Sequence, residues 1–256
     1  MRSTVLIYQM GKVGSSTLYH SLLYAGALPC LDHQIGAHTD GIRVIHTHSH
    51  NRVNQLFRTY PDEEVIIITM VRDLLRRTIS AFFQNVDNVD NLWWYIGDPH
   101  FVQKLSTDEL IELYRARQIP HYYGIVEPWF RRFYDSTNVD ILQSRFPTEE
   151  GKCWISESGR QIGIIRTENL SDSDRWLARR VGIPNLRMIP QNIGNQKWYS
   201  SQYNNFIEKF NPNTEETEMY YRSAITRHFY DKSEIDTMIK KWRDKPVNVQ
   251  PTVQYL

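Results

Sequence analysis

Apolar residues along this chain switch between two periods. Val5 to Met10 is a nearly unbroken apolar run, as a strand covered on both faces should be, and after a short break Leu18, Leu22 and Leu23 recur at helical spacing. The pattern predicts a strand over Thr4 to Met10 and a helix over Ser15 to Tyr24. It returns twice, with Arg43 to His48 followed by Asn51 to Arg58, and Val65 to Val71 followed by Leu74 to Gln84. Val-Ile-Ile-Ile-Thr-Met-Val is apolar on both faces, and Leu75, Ile79, Phe82 and Phe83 give the next helix one apolar side. Repeated strand-helix units with right-handed crossovers make an α/β fold, a three-layer parallel sheet flanked by helices, with the strand ends on one rim.

Residues 86 to 135 read differently. Asn and Asp give way to Trp93, Trp94 and Tyr95, then to a helix capped by Ser106 with Glu109 three residues on, then to Tyr122, Tyr123, Trp129 and Phe130. This predicts a helical insertion or lid, whose aromatics could stack sugar rings, pack a lid or fill core. Short strands near Val139 to Leu142 and Gln161 to Arg166 are expected to rejoin the sheet, the second followed by a helix from Asp172 to Val181 that Pro184 closes. From Tyr199 onward the chain reads as helical. Its last helix carries Ile235, Met238, Ile239 and Trp242 on one stripe, with Ser233 and Asp236 as a capping pair, and residues 245–256 read as an extended tail. We therefore expect one domain over residues 1–256.

Bulk numbers narrow the choice of ligand. The chain has 256 residues, 41% hydrophobic and 12% aromatic, which excludes wholesale disorder. Thirty Lys and Arg against 29 Asp and Glu leave a net charge of +1, so no nucleic-acid partner is expected and an anionic ligand must be met by a local cluster. No stretch has the length of a membrane span, and a strand begins within four residues of the start, so neither a leader nor a span is expected. Cys30 and Cys153 are far apart and make no metal-spaced pair, which points to a reducing compartment, the cytoplasm.

The first candidate site is the turn within Val5-Leu-Ile-Tyr-Gln-Met-Gly-Lys-Val-Gly-Ser-Ser-Thr-Leu18, where the strand breaks into a glycine and hydroxyl loop before a helix. Such a turn aims the backbone N–H groups of residues 13 to 17 (Val13, Gly14, Ser15, Ser16, Thr17) at an anion above the strand, and Lys12 adds a formal charge. The spacing is not that of a nucleoside-triphosphatase loop, whose lysine follows its second glycine. Two other strand ends deliver His46-Thr47-His48 and Arg72-Asp73 to the same rim. Arg72 and Ser80, eight residues apart, place a cation at a strand end and a hydroxyl about two helical turns later, both within reach of one phosphate. Of the histidines, only one is expected to face a transfer site. His48, nearer the strand end, is preferred, with His46 second and His50 third.

Lys-x-Gly followed by small and hydroxyl residues resembles the 5′-phosphosulfate loop of sulfotransferases, which use 3′-phosphoadenosine 5′-phosphosulfate (PAPS) and have a P-loop-type fold. Val-Arg-Asp-Leu-Leu-Arg-Arg-Thr-Ile-Ser-Ala-Phe-Phe, over 71–83, is similar to their 3′-phosphate segment, with Leu74 where many members carry proline. The His-x-His string resembles the catalytic region of carbohydrate sulfotransferases, in which a histidine takes the acceptor proton. Arg187-Met-Ile-Pro-Gln-Asn-Ile-Gly-Asn-Gln-Lys-Trp-Tyr-Ser200 resembles the signature of bacterial capsular polysaccharide synthesis proteins named for an Asn-Lys-Trp-Tyr-Ser motif. Lys197 to Ser200 match it, while Gln196 stands in the asparagine's place beside Asn195.

The resemblance implies a PAPS-dependent sulfotransferase acting on a carbohydrate or other hydroxyl acceptor, with no metal. In that reading Lys12 and residues 13–17 hold the 5′-phosphate, Arg72 and Ser80 hold the 3′-phosphate, and Lys197, Trp198 and Tyr199 close over the nucleotide. His48 or His46 is the base. A Mg-dependent nucleotide kinase on the same sheet and a catalytically inactive nucleotide-binding protein of capsule assembly are the alternatives.

Overall fold

A computed structural model describes residues 4–30, 41–59, 64–190 and 197–244. It is an α/β fold of the expected class, with a six-stranded sheet in the order β2-β3-β1-β4-β6-β5. The strands are β1 (Thr4–Tyr8), β2 (Leu28–Pro29), β3 (Arg43–Thr47), β4 (Val65–Val71), β5 (Lys152–Glu157) and β6 (Arg160–Arg166). The α-helices are α1 (Ser15–Tyr24), α2 (His50–Thr59), α3 (Leu74–Asn85), α4 (Pro99–Lys104), α5 (Thr107–His121), α6 (Glu127–Thr137), α7 (Asp174–Val181), α8 (Ser200–Lys209), α9 (Thr214–Tyr221), α10 (Ala224–Phe229) and α11 (Lys232–Arg243). Five strands are parallel and β5 runs antiparallel at the edge.

Why the central strands read as unbroken apolar runs is now plain. Every residue of β1 and β4 is buried, because helices cover both faces. At about 1.5–3 kcal/mol for each fully buried large aliphatic side chain, Val5, Leu6, Ile7, Ile67 and Ile68 are a main part of what holds the sheet together. The connection leaving β1 runs to the β2 and β3 side of the sheet and that leaving β4 runs to the β6 and β5 side, so the two part between the ends of β1 and β4. A crevice opens at such a point.

Several boundaries differ from the sequence reading, each for a local reason. β1 stops at Tyr8 and β3 at Thr47, so His48 lies beyond its strand. The run Val139 to Leu142 is a turn: Asn138 ends α6 at a φ of 58°, and Asp140 accepts from Leu142 and Ser144. Val139 and Ile141 are still buried, as plugs of the core. The strand that joins the sheet there is β5, linked to β6 by Ser158 and Gly159, both at positive φ as a tight hairpin requires. A 3-10 turn over Thr167–Asp172 delays α7 to Asp174. The cap of α11 is Asp231 with Glu234, in place of Ser233 with Asp236.

Of the residues expected to form an insertion, 86–98 are turns and loop, and the chain is mostly helical from Pro99 to Thr137. α5 begins with the Ser106 and Glu109 capping box and passes through a π-helical turn, Tyr122–Val126, into α6. Most of its aromatics are core, including Trp94, Tyr122, Trp129 and Phe130, whereas Trp93 and Tyr123 are exposed. No helix among the described residues is long and apolar enough to cross a membrane. The tail from residue 245 and the pair Asn195 and Gln196 lie outside the described residues.

Candidate functional site

Four parallel strands, β3, β1, β4 and β6, end on one rim, and the segments leaving them form the site. After β1 the backbone takes left-handed angles at Gly11 (φ 83°), Lys12 (φ 63°) and Gly14 (φ 79°), which curls residues 11–14 into a loop closing on the first turn of α1. Gly14 is needed for a second reason as well. A Cβ there would sit 3.1 Å from Thr167 Cγ2.

Side chains from elsewhere hold this loop by its carbonyls. Arg77 on α3 donates to Met10 O (2.7 Å) and Gly11 O (3.2 Å), Arg72 donates to Lys12 O (3.2 Å), and Thr167 donates to Val13 O (2.6 Å). Gln9 accepts the Gly11 N–H on its side-chain oxygen. The N–H groups of Lys12, Val13, Gly14, Ser15 and Ser16 have no acceptor among the described residues.

Lys12 and Arg72 come together, as a shared site demands. Burial first, and then the nearby charges of Lys197, Arg72 and Arg77, bring the Lys12 ammonium down to about 8. All three of those neighbours are cations, and among the described residues no carboxylate counters them at Lys12. Asp73, next to Arg72, is spent elsewhere: fully buried, it caps α3 by accepting from Arg76 N and accepts the Tyr221 hydroxyl, which in turn accepts from Trp242 Nε1. Burial raises its carboxyl above the ordinary range. Glu168 accepts from Asp73 N and from the Tyr230 hydroxyl. The C-terminal helices α9 and α11 thus brace the segment that carries Arg72.

The three histidines part company. His46 Nε2 lies 2.9 Å from Ser15 Oγ and 3.3 Å from Gln9 Nε2, with its ring stacked on Tyr19. Gln9's oxygen is engaged by Gly11 N–H, so its amide nitrogen faces the histidine and donates; Nε2 is then the unprotonated nitrogen of a neutral ring. Burial, followed by the charges of His48, His20 and Arg52, lowers the pKa of His46 below 6.5. His48 is exposed past the strand end. Residues two apart share a face of a strand, so it is this early ending that separates the pair. His50 opens α2 and engages the Tyr8 hydroxyl through Nδ1, with a pKa brought down to about 4 by burial and Arg132.

Of the remaining predicted residues, Val13 is fully buried and offers only its N–H, while Ser16, Thr17 and Ser80 are half-buried. Lys197 and Ser200 are joined by a turn (Ser200 N to Lys197 O, 3.0 Å) that leads into α8. Trp198 packs edge-on to Tyr199, whose ring lies against Phe83 of α3. That packing carries Lys197 to Lys12. Arg77 and Thr167 were missed in the sequence. Among the described residues no three His, Cys, Asp or Glu are grouped to hold a metal ion.

Over 95% of this chain and 99% of the other, the structure is similar to the crystal structure of a sulfotransferase from Alicyclobacillus acidocaldarius, with a TM-score of 0.43 and 13% identity. At that level of likeness nothing about activity passes from one protein to the other. No protein-family model matches the chain, and no curated protein matches it.

Proposed function

We propose that this protein is a sulfotransferase that moves the sulfuryl group of PAPS to a hydroxyl of a carbohydrate acceptor. The observation that carries the reading is the cluster of Lys12, Arg72, Arg77 and Lys197, with no carboxylate against Lys12 among the described residues, around a loop with five N–H groups that find no acceptor there. A nucleotide with an anion at each end fits this donor set. The loop amides and Lys12 would take the 5′ end. Arg72 spends one guanidinium N–H on Lys12 O and would keep others for the 3′-phosphate, with Ser80 as the proposed second ligand.

PAPS supplies an activated sulfuryl group whose bond to the 5′-phosphate breaks as the bond to the acceptor oxygen forms. The chain's own part is to align the two oxygens and to stabilise charge on the departing phosphate, which Lys12 and the loop amides are placed to do. The acceptor's proton passes to a histidine. What supports His46 over His48 is its neutral, unprotonated Nε2 at the loop.

Titration calorimetry tests the reading. Tight binding of 3′-phosphoadenosine 5′-phosphate, unaffected by Mg²⁺ and stronger than that of ADP, is the expected result. Mg-dependent ATP binding in its place would make the protein a kinase, and no binding of either would leave the inactive alternative.

A further inference from the structure

In a trans peptide the C=O and the N–H point in opposite directions. Tying a carbonyl outward therefore aims the next residue's N–H inward. Four consecutive carbonyls of the loop, those of Met10, Gly11, Lys12 and Val13, are tied outward by Arg77, Arg72 and Thr167. The N–H groups of the last three of these peptide planes belong to Lys12, Val13 and Gly14. Ser15 and Ser16 continue the series at the start of α1, where a helix leaves its first N–H groups unspent.

Arg77 holds two of the four carbonyls and is an unusual residue for its place. It is 3% exposed, a charged side chain among the buried residues of α3. No carboxylate pairs with it among the described residues; Tyr220 and Tyr114 are the groups that favour its charge, and its Nη1 has no partner. Burying an unpaired cation is costly, and a fold retains one where something else repays the cost.

We infer that Arg77, seconded by Thr167, is a positioning residue that keeps the phosphate loop in its anion-binding shape before any ligand arrives, and that the bound anion is the counter-charge its guanidinium lacks. The inference rests on the loop's binding an anion, as in the function proposed above, and not on which nucleotide carries that anion.

The test uses the full chain and two probes, inorganic pyrophosphate and 3′-phosphoadenosine 5′-phosphate, titrated by calorimetry into wild type, Arg77→Met, Arg77→Lys, Thr167→Val and Thr167→Ser. Arg77→Met is expected to weaken both ligands by roughly thirtyfold or more, with partial recovery in Arg77→Lys. Thr167→Val should lose roughly tenfold, and Thr167→Ser, which keeps the hydroxyl, should regain it. A residue that merely packs would not be rescued in this way. The pH profile gives a separate readout. Lys12 faces Arg77 on α3, Arg72 at the end of β4 and Lys197 before α8, and removal of one of these cations should move the loss of pyrophosphate binding to higher pH.

Pyrophosphate affinity in Arg77→Met or Thr167→Val equal to that of wild type overturns the inference. Should Arg77→Met fail to fold, the threonine pair decides. If wild type binds pyrophosphate but not the nucleotide, and Arg77→Met loses pyrophosphate, the positioning role stands and the PAPS reading falls. If wild type binds neither, both fall.

Discussion

Lys12 is held where its charge is unwelcome, so if the loop binds an anion as proposed, replacing it by methionine should move stability and binding in opposite directions. Its ammonium sits at about 8 against an ordinary 10.5. At about 1.4 kcal/mol per pH unit, the charged side chain costs the empty fold on the order of 3 kcal/mol. Methionine keeps the length of the chain and the left-handed backbone while removing the charge. The ligand-free variant should therefore gain about 1–3 kcal/mol, or roughly 2–10 °C in melting temperature for a domain of this size. The sign follows the titration. The gain is complete below pH 8, where wild-type Lys12 is charged, and fades to nothing by about 10.5, where it is neutral folded or unfolded.

Binding goes the other way. A unit charge about 4 Å from a phosphate charge contributes about 4 kcal/mol at the effective dielectric of a protein surface. After the desolvation already borne by the fold, loss of about 2–4 kcal/mol is expected, roughly 30- to 700-fold in affinity. With 3′-phosphoadenosine 5′-phosphate at a hundredfold excess over the wild-type Kd, ligand should add about 2.7 kcal/mol to wild type and less than about 1 kcal/mol to the variant. Differential scanning calorimetry with and without ligand, at pH 7 and pH 10, measures all four quantities. A ligand-free Lys12→Met that melts below wild type at pH 7, or one that keeps the full ligand-induced rise, would refute the reasoning.

Three further outcomes are expected. His46→Asn should lower sulfate transfer by about 10²–10⁴-fold while His48→Asn costs less than about tenfold; because burial lowers the His46 pKa, the rate should begin to fall only below pH 6.5 as the base takes up a proton, and an acid limb above that value would exclude it. Tyr221→Phe removes the hydroxyl that donates to the buried Asp73 carboxylate and accepts from Trp242 Nε1, so urea unfolding should show a loss of about 1–3 kcal/mol; an unchanged midpoint would deny the brace. Gly14→Ala must hold a Cβ at a φ of 79° and 3.1 Å from Thr167 Cγ2, and calorimetry should show anion binding reduced with little change in the far-ultraviolet circular dichroism.

Much of the sheet was legible because its periods are unambiguous. β4, α1 and the start of α3 fall where the apolar runs put them, and Lys12 meets Arg72 because parallel strands must end together. The turn at 139–142 was misread since Val139 and Ile141 are truly buried; only the flanking Asn138 and Asp140 give the turn away, and burial does not distinguish a strand from a plug. β5 was missed although Ser158-Gly159 is a fair hairpin signal, because its edge position leaves it half-buried and weakly patterned. The divergence of His46 and His48 depended on where β3 frays, which periodicity cannot fix. The roles of Arg77 and Thr167 arise from carbonyls more than sixty residues away in sequence, and no local pattern encodes them.

The relay from Trp242 through Tyr221 to Asp73 has a consequence for how the molecule comes into being. Strands β1, β3 and β4 all lie within the first 71 residues, and a nascent chain can pair them early. The carboxylate at the head of α3, however, waits for a hydroxyl and an indole synthesised about 150 and 170 residues later, so a half-made product exposes a grip it cannot tighten. On the function proposed above, nucleotide capture would await Tyr221 and Trp242, and ribosome-bound fragments ending before them would hold no donor.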